Sequence, residues 1–209
     1  MKKCIYTAIF GDYDTLKEPL VIEEGYDYIC FSDKKIKSNT WKIVKYRLTD
    51  TPIMEARRIK LLGLEYLMQY DYLIWVDASL QIIQSLSCFY SKNKAPIFFK
   101  HPHHNSLKEE LDKCILKKKA NKIKLISQYE RYLKNGYPDN RGMIQTGVMF
   151  RHNTRTIRKM MRKWFVEVEN ETHRDQMSWN YLTWLHGWKY GIYDSSYFWA
   201  NFDWGTHKK

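Results

Sequence analysis

The sequence predicts an α/β fold in which helices flank a mostly parallel central sheet, and three observations carry that prediction. Residues 70–76, YDYLIWV, are almost wholly aromatic or aliphatic with one acid, the character of a strand buried on both faces. Asp77 follows directly, and an aspartate at the carboxyl end of a buried central strand lies in the crevice where open α/β sheets bind ligands. Along the rest of the chain, short apolar runs alternate with segments of helical periodicity.

The length of 209 residues suits one well-buried domain, residues 1–209, better than two. A hydrophobic content of 44%, with 16% aromatics, excludes a disordered chain. The apolar run near the amino end meets Gly11-Asp12 before it reaches the length of a secretory h-region, and no run approaches a membrane span. Cys4, Cys30, Cys88 and Cys114 are scattered among apolar residues without a CxxC pair. They read as buried free thiols in a reducing compartment, which points to the cytoplasm. The formal charge of +12 fits a polyanionic partner or a soluble surface. The basic runs at 117–124 and 155–163 fall on helical patterns whose apolar positions face the other way, so solvated faces account for them. An anionic membrane, nucleic acid or a diphosphate ligand are further uses of the same charge.

In order, residues 3–10 form a first strand, followed by a polar turn, GDYD, that is a nucleotide-contact position or a plain loop. Residues 26–33 and 41–48 are the next strands. Thr51-Pro52 opens a helix with a capping hydroxyl and an early proline, whose pattern runs through Ile59, Leu62, Gly63, Tyr66, Leu67 and Tyr70 to the central strand. On its flank Arg57, Arg58 and Lys60 form either a diphosphate-binding edge or a solvated face. Residues 80–82 and 96–100 are short strands. His101-Pro102-His103-His104 tempts a zinc reading, yet no cysteine or acid stands at matching spacing, so the loop reads as offering imidazoles to phosphate or acceptor.

Ser106 and Glu109 make a capping box for a helix with Leu107, Leu111, Cys114 and Ile115 inward. Ile123, Ile126, Tyr129 and Leu133 continue that face until Asn135-Gly136. Residues 142–151 form a strand in which Gly147 admits a close approach or marks a bulge. Asn153 or Thr154 caps the cleanest amphipathic helix, with Ile157, Met160, Met161, Trp164, Phe165 and Val168 on one face. Thr172 starts another helix, and the aromatic tail docks on the body.

The segments YTAIFGDYD (6–14), CFSD (30–33), ARRIKL (56–61), WVDAS (75–79), GMIQTGVMFRHN (142–153) and RDQMSWNY (174–181) occur in order across most of the chain. Together they resemble GT-A glycosyltransferases, and among them a compact family long catalogued as a domain of unknown function, known from plants, bacteria and large algal viruses. The resemblance implies a GT-A (Rossmann-like) three-layer sandwich, a nucleotide-sugar donor, most often a UDP-sugar, and Mn2+ or Mg2+ bridging its phosphates. Asp77-Ala78-Ser79 resembles the Asp-x-Asp signature of these enzymes, with Ser79 in place of the second aspartate. By position, Thr7, Ala8, Ile9, Tyr13 and Asp33 line the nucleotide and Arg58 approaches the diphosphate. Asp77 and Ser79 hold the metal, with His207, or His186 as second choice, completing its shell. Gln145 and Gly147 lie where the family places an acceptor or donor sugar beside a strand end. Asp175 is the candidate base of an inverting transfer, although Thr172-x-x-Asp175 also fits a helix-start pattern.

A glycan or glycoconjugate acceptor follows from the same resemblance, with peripheral membrane contact as a use of the charge. Three other readings stand beside it: a nucleotidyltransferase or other metal-dependent phosphate enzyme using Asp77, opposed by the want of further carboxylates placed with it; a basic nucleic-acid-binding domain, opposed by the separation of the lysine runs from the tryptophan-rich tail; and a catalytically inactive sugar-binding relative, suggested by Ser79.

Overall fold

The structure, a computed structural model, describes residues 1–11 and 14–204. Tyr13 and His207 of the expected site lie outside the described residues. The strands are β1 (Lys3–Ile9), β2 (Tyr26–Ser32), β3 (Lys42–Lys45), β4 (Tyr72–Val76), β5 (Leu80–Ile82), β6 (Ile97–Lys100), β7 (Ile144–His152), β8 (Gly191–Tyr193) and β9 (Phe202–Trp204). The helices are α1 (Pro52–Leu62), α2 (Leu107–Leu116), α3 (Lys122–Lys134), α4 (Arg155–Asn170), α5 (Asp175–His186) and α6 (Ser195–Asn201).

A seven-stranded sheet in the order β3-β2-β1-β4-β7-β6-β8 forms the middle layer, and β5 pairs with β9 in a separate ribbon. All neighbours in the large sheet are parallel except β7, which runs against both β4 and β6. The mostly parallel sheet is therefore present, with its one reversal beside the central strand. Every residue of β4 is buried, because apolar layers cover both of its faces. On one face α1, α2, α4 and α5 contribute Ile59, Leu111, Trp164 and Trp179 to a large core. On the other, the β5–β9 ribbon and α6 contribute Leu80, Phe198 and Phe202. The layers are thus uneven, with most of the helical mass on one side. Among the described residues no helix is long and apolar enough to cross a membrane.

Several local expectations are met by identifiable interactions. Thr51 caps α1 by accepting from the Met54 amide, and Ser106 caps α2 by accepting from that of Glu109. The Glu109 carboxylate turns to the Asn105 amide. The apolar face of α4 is buried at all six expected positions. The tail docks through β9, where Trp204, Asp203 and Phe202 pair with Leu80, Gln81 and Ile82.

Other expectations give way to tertiary packing. The helix before β4 stops at Leu62, because Gly63 takes a left-handed φ of 71° and its amide closes onto Ile59. α3 buries Leu125, Gln128 and Tyr132, leaving Ile123 and Leu133 exposed, because Gln128 is held by Thr172 and Tyr132 by Glu167. Thr172 therefore caps nothing: its hydroxyl donates to Gln128 at 2.6 Å, and α5 begins at Asp175 without a side-chain cap. Of the four cysteines, all free, Cys4, Cys30 and Cys114 are buried and Cys88 is exposed.

Candidate active site

Asp77 leaves the carboxyl end of β4 and is fixed from three sides. Its amide donates to Gly147 O at 2.8 Å, and the Trp75 indole N–H donates to its Oδ1 at 2.7 Å. Its Oδ2 faces Gly147, where a Cβ would stand 3.4 Å from that oxygen and 3.3 Å from Leu80 Cδ1. A side chain at 147 would thus crowd Leu80 and come into contact with the Asp77 carboxylate. The β6–β7 register also slips across this segment, with Ile97 opposite Phe150 but Phe99 opposite Gln145, so Gly147 lies in an irregular stretch as well.

The nearest charge to Asp77 comes from α1. Lys60 is fully buried, with Nζ 2.6 Å from Asp175 Oδ2 and 3.8 Å from Asp77 Oδ1. The Trp75 ring lies 5.7 Å from the ammonium. One turn earlier Arg57 sits 3.7 Å from Asp175 Oδ1 and donates to the His173 carbonyl at 3.1 Å. Burial alone would raise the pKa of Asp175, but Arg57, Lys60 and Arg174 overcome it and hold the carboxyl far below its usual range. The end of α1 is itself pinned. Tyr6 OH donates to the Lys60 carbonyl, and the buried Arg151 guanidinium donates to Leu61 O and Tyr6 OH, each at 2.7 Å. Cationic donors at these free carbonyls are favourable.

A second polar cluster adjoins the first. Arg174 pairs with buried Glu110 at 3.3 Å, and Glu110 Oε2 meets His104 Nδ1 at 2.8 Å. His101, just beyond β6, stacks on His104 at 4.1 Å and accepts the His103 and His104 amides on Nδ1. Ligand atoms of His101, His104 and Glu110 lie within 4.8 Å of one another. The acid absent from the sequence spacing of the histidine run is Glu110, delivered by α2.

The expected site residues fall into distinct places. Thr7 is fully buried in β1, and among the described residues its hydroxyl has no hydrogen-bond partner. Ala8 and Ile9 follow it, next to the end of β4. Asp33 accepts the Gly11 amide at 3.3 Å, tying the turn after β1 to the end of β2. Ala78 and Ser79 are buried in the turn into β5. Gln145 is buried in β7 with its amide nitrogen unsatisfied. Arg58 turns to the α4 side, pairing with Glu55 and Glu169 and covering the Phe165 ring; the arginine brought to Asp175 is Arg57. His186 ends α5 and stacks on Trp188, about 17 Å along the helix from Asp175 at 1.5 Å per residue. Lys60 is the functional candidate that periodicity obscured, because its place on the flank of α1 reads as solvent-facing. Asp175 lies in contact with it only through the tertiary fold.

The residues fit a hard divalent cation together with an anionic ligand. Asp77 offers a carboxylate oxygen held in place by Trp75, with 35% of its side chain exposed. Such ions are commonly held by one or two carboxylates plus substrate phosphates. The unsatisfied Thr7 hydroxyl and Gln145 amide are buried groups that a ligand in the crevice would satisfy.

The family described as TOD1/MUCI70, glycosyltransferase-like domain, matches residues 1–190. No curated protein matches the chain. Among solved structures, a glycosyltransferase involved in the glycosylation of the major capsid of PBCV-1 is similar at 12% identity and a TM-score of 0.42, covering 75% of this chain and 67% of that one. The match over residues 1–190 takes in Lys60, Asp77, Glu110 and Asp175 alike, and the chain belongs to the TOD1/MUCI70 glycosyltransferase-like domain family.

Proposed function

We propose that this chain transfers a sugar from a nucleoside-diphosphate donor, best matched by a UDP-sugar, to a hydroxyl of a glycan or glycoconjugate acceptor. The supporting observation is the Asp77–Lys60–Asp175 cluster at the carboxyl edge of the sheet, with alternating charge, Lys60 and Asp175 buried and Asp77 partly exposed. Asp77 and Ser79 would hold Mn2+ or Mg2+, with His207 as a further ligand. Such an ion, when bound, neutralises the charge that develops on a departing diphosphate.

The other roles belong to the chain. Thr7 and Gln145 present buried polar groups to the donor, and Ala8, Ile9 and Ala78 give it an apolar wall. Asp33 and Gly11 shape the turn beside the nucleotide, and Tyr13 is a further nucleotide contact. Gly147 leaves space for the Asp77 carboxylate and the sugar. Lys60 and Arg57 place positive charge beside the site without depending on a bound ion. Asp175, kept anionic by these two, is suited to accept hydrogen bonds from sugar hydroxyls. As the base of an inverting transfer it would first have to leave Lys60, whose proximity weakens its basicity.

Thermal shift with UDP, GDP, CMP and ADP, each with and without Mn2+, on wild type and Asp77→Ala, tests this reading. Occupancy at a hundred times the dissociation constant adds about 2.7 kcal/mol, a rise of several degrees. The expected result is stabilisation by UDP with Mn2+ that Asp77→Ala abolishes. No stabilisation by any nucleotide overturns it.

A further inference from the structure

We propose that His104, oriented by Glu110, is the group that takes the proton from the acceptor hydroxyl, a role that rests on the transferase reading above. The argument begins with Glu110. Burial works against its ionisation, but Arg174, the Cys114 thiol and Lys119 more than offset this and keep the carboxyl ionised below its usual range. An ionised carboxylate only accepts hydrogen bonds. The 2.8 Å contact with His104 Nδ1 therefore places the imidazole proton on Nδ1 and leaves the lone pair on Nε2. The His104 side chain is 14% exposed, and that of Glu110 is 2% exposed. A buried carboxylate thus orients an imidazole that keeps some solvent exposure, the arrangement by which a base is held in one tautomer.

The neighbours support proton transfer over metal binding. His101 Nδ1 is occupied by two amides, so its lone pair is unavailable and Nε2 carries the proton. Burial pushes its pKa down to about 4, so it adds no charge against a protonating His104. The charged and titratable groups around His104 are Glu110, Arg174, Lys119, His101, His103 and Cys114. Arg174 and Lys119 are cations that disfavour a second cation here, whereas Glu110 stabilises an imidazolium.

Position supplies the remaining support. His101 and His104 follow the carboxyl end of β6, which runs parallel to β4 two strands away. At about 4.8 Å per strand the two strands lie about 10 Å apart sideways, and β6 runs four residues further along β7 than β4 does, Lys100 pairing with Ile144 and Val76 with Val148. Arg174, which directly precedes Asp175, pairs with Glu110 at 3.3 Å. The two polar clusters therefore lie toward the same edge of the sheet and are joined through Arg174, whereas Asp175 is engaged by Lys60 and Arg57.

In the step itself the acceptor O–H bond breaks and its proton passes to His104 Nε2. The oxygen's electron pair forms the new bond to the anomeric carbon. The bond from that carbon to the diphosphate oxygen breaks, and the diphosphate leaves with its electron pair. The imidazolium then returns its proton to solvent.

Two measurements on the full chain test the proposal. Proton–nitrogen NMR of the imidazoles should show His104 as the Nδ1–H tautomer and His101 as the Nε2–H tautomer; a neutral His104 protonated on Nε2 overturns the dyad whatever the activity. UDP release from UDP-sugars with Mn2+, with water as acceptor, should fall 10²–10⁴-fold in kcat in His104→Gln. That variant should keep its UDP–Mn2+ thermal shift and lose the acid limb of the wild-type pH profile. Glu110→Gln should lower kcat while leaving the donor KM unchanged, and His103→Gln should behave as wild type. Unchanged kcat and pH profile in His104→Gln, with UDP still bound, overturn the base role and leave the transferase reading intact. A wild type that neither binds nor releases UDP overturns the transferase reading and the base role with it.

Discussion

The Lys60 ammonium stands 2.6 Å from Asp175 Oδ2, and this contact joins the helix entering the central strand to the helix that begins twenty-three residues after His152 ends β7. Both groups are almost fully buried, so neither exchanges its partner for water without a structural change. Burying two charges is expensive, and such a pair adds little net stability over an apolar replacement. Removing one partner is a different matter.

Lys60→Met leaves Asp175 and Asp77 without their shared cation. The expected loss is about 3–5 kcal/mol, measured by urea denaturation, with a fall in melting temperature on the order of 10 °C. Lys60→Met combined with Asp175→Asn should recover part of that loss. An unchanged midpoint in the single variant would show that the pair is not intact in solution.

Asp175 also sets a pH dependence. Its native pKa is depressed by Arg57, Lys60 and Arg174 against the opposing effect of burial, while an unfolded aspartate titrates near about 3.9. Its contribution to stability is therefore complete above that range and is lost as pH falls through the depressed native value. Denaturation midpoints of wild type should fall more steeply below about pH 4 than those of Asp175→Asn. Parallel curves would contradict the assignment.

Gly147→Ala places a methyl 3.3 Å from Leu80 Cδ1 and 3.4 Å from Asp77 Oδ2. Leu80 can shift by a few tenths of an ångström, so the expected stability cost is modest, about 1 kcal/mol. Its effect on the site should be larger, because the methyl fills the space beside the Asp77 carboxylate. Isothermal titration with UDP and Mn2+ should show weaker binding than wild type, and equal affinity would separate Gly147 from the site.

The adjacent arginines of α1 should behave differently. Arg57→Gln removes a cation from Asp175 and should lower donor turnover at least tenfold. Arg58→Gln removes contacts to Glu55, Glu169 and Phe165, so it should reduce stability by about 1 kcal/mol and leave donor affinity unchanged. Donor KM and melting temperature, measured together for both, decide the matter.

Much of the architecture was legible because local chemistry and tertiary demand agree. Residues 72–76 are apolar throughout, and β4 is buried throughout. In α4 the apolar spacing equals the buried face, since one stripe meets one sheet. Thr51 and Ser106 cap helices through contacts three residues away, a range at which sequence pattern is informative. Where pattern failed in α3 and at Thr172, a distant polar partner had intervened. α3 turned by one position to bring Gln128 and Tyr132 to Thr172 and Glu167, and Thr172 was thereby taken from the start of α5.

The site divides along the same line. Asp77 could be read from the sequence because its position depends only on the buried strand before it. The apolar run ends and the next side chain lies at the ligand edge, whatever the rest of the chain does. Family resemblance likewise drew attention to Asp175 and Gly147. Tertiary structure alone decided that Lys60, on the flank of an amphipathic helix, lies inside, that Arg57 and not Arg58 meets Asp175, and that Glu110 completes the histidine cluster. The physical reason is that a side chain's charge is local but its field and desolvation are set by groups tens of residues away. Lys60 and Asp175 are separated by more than a hundred positions in the chain and by 2.6 Å in the fold.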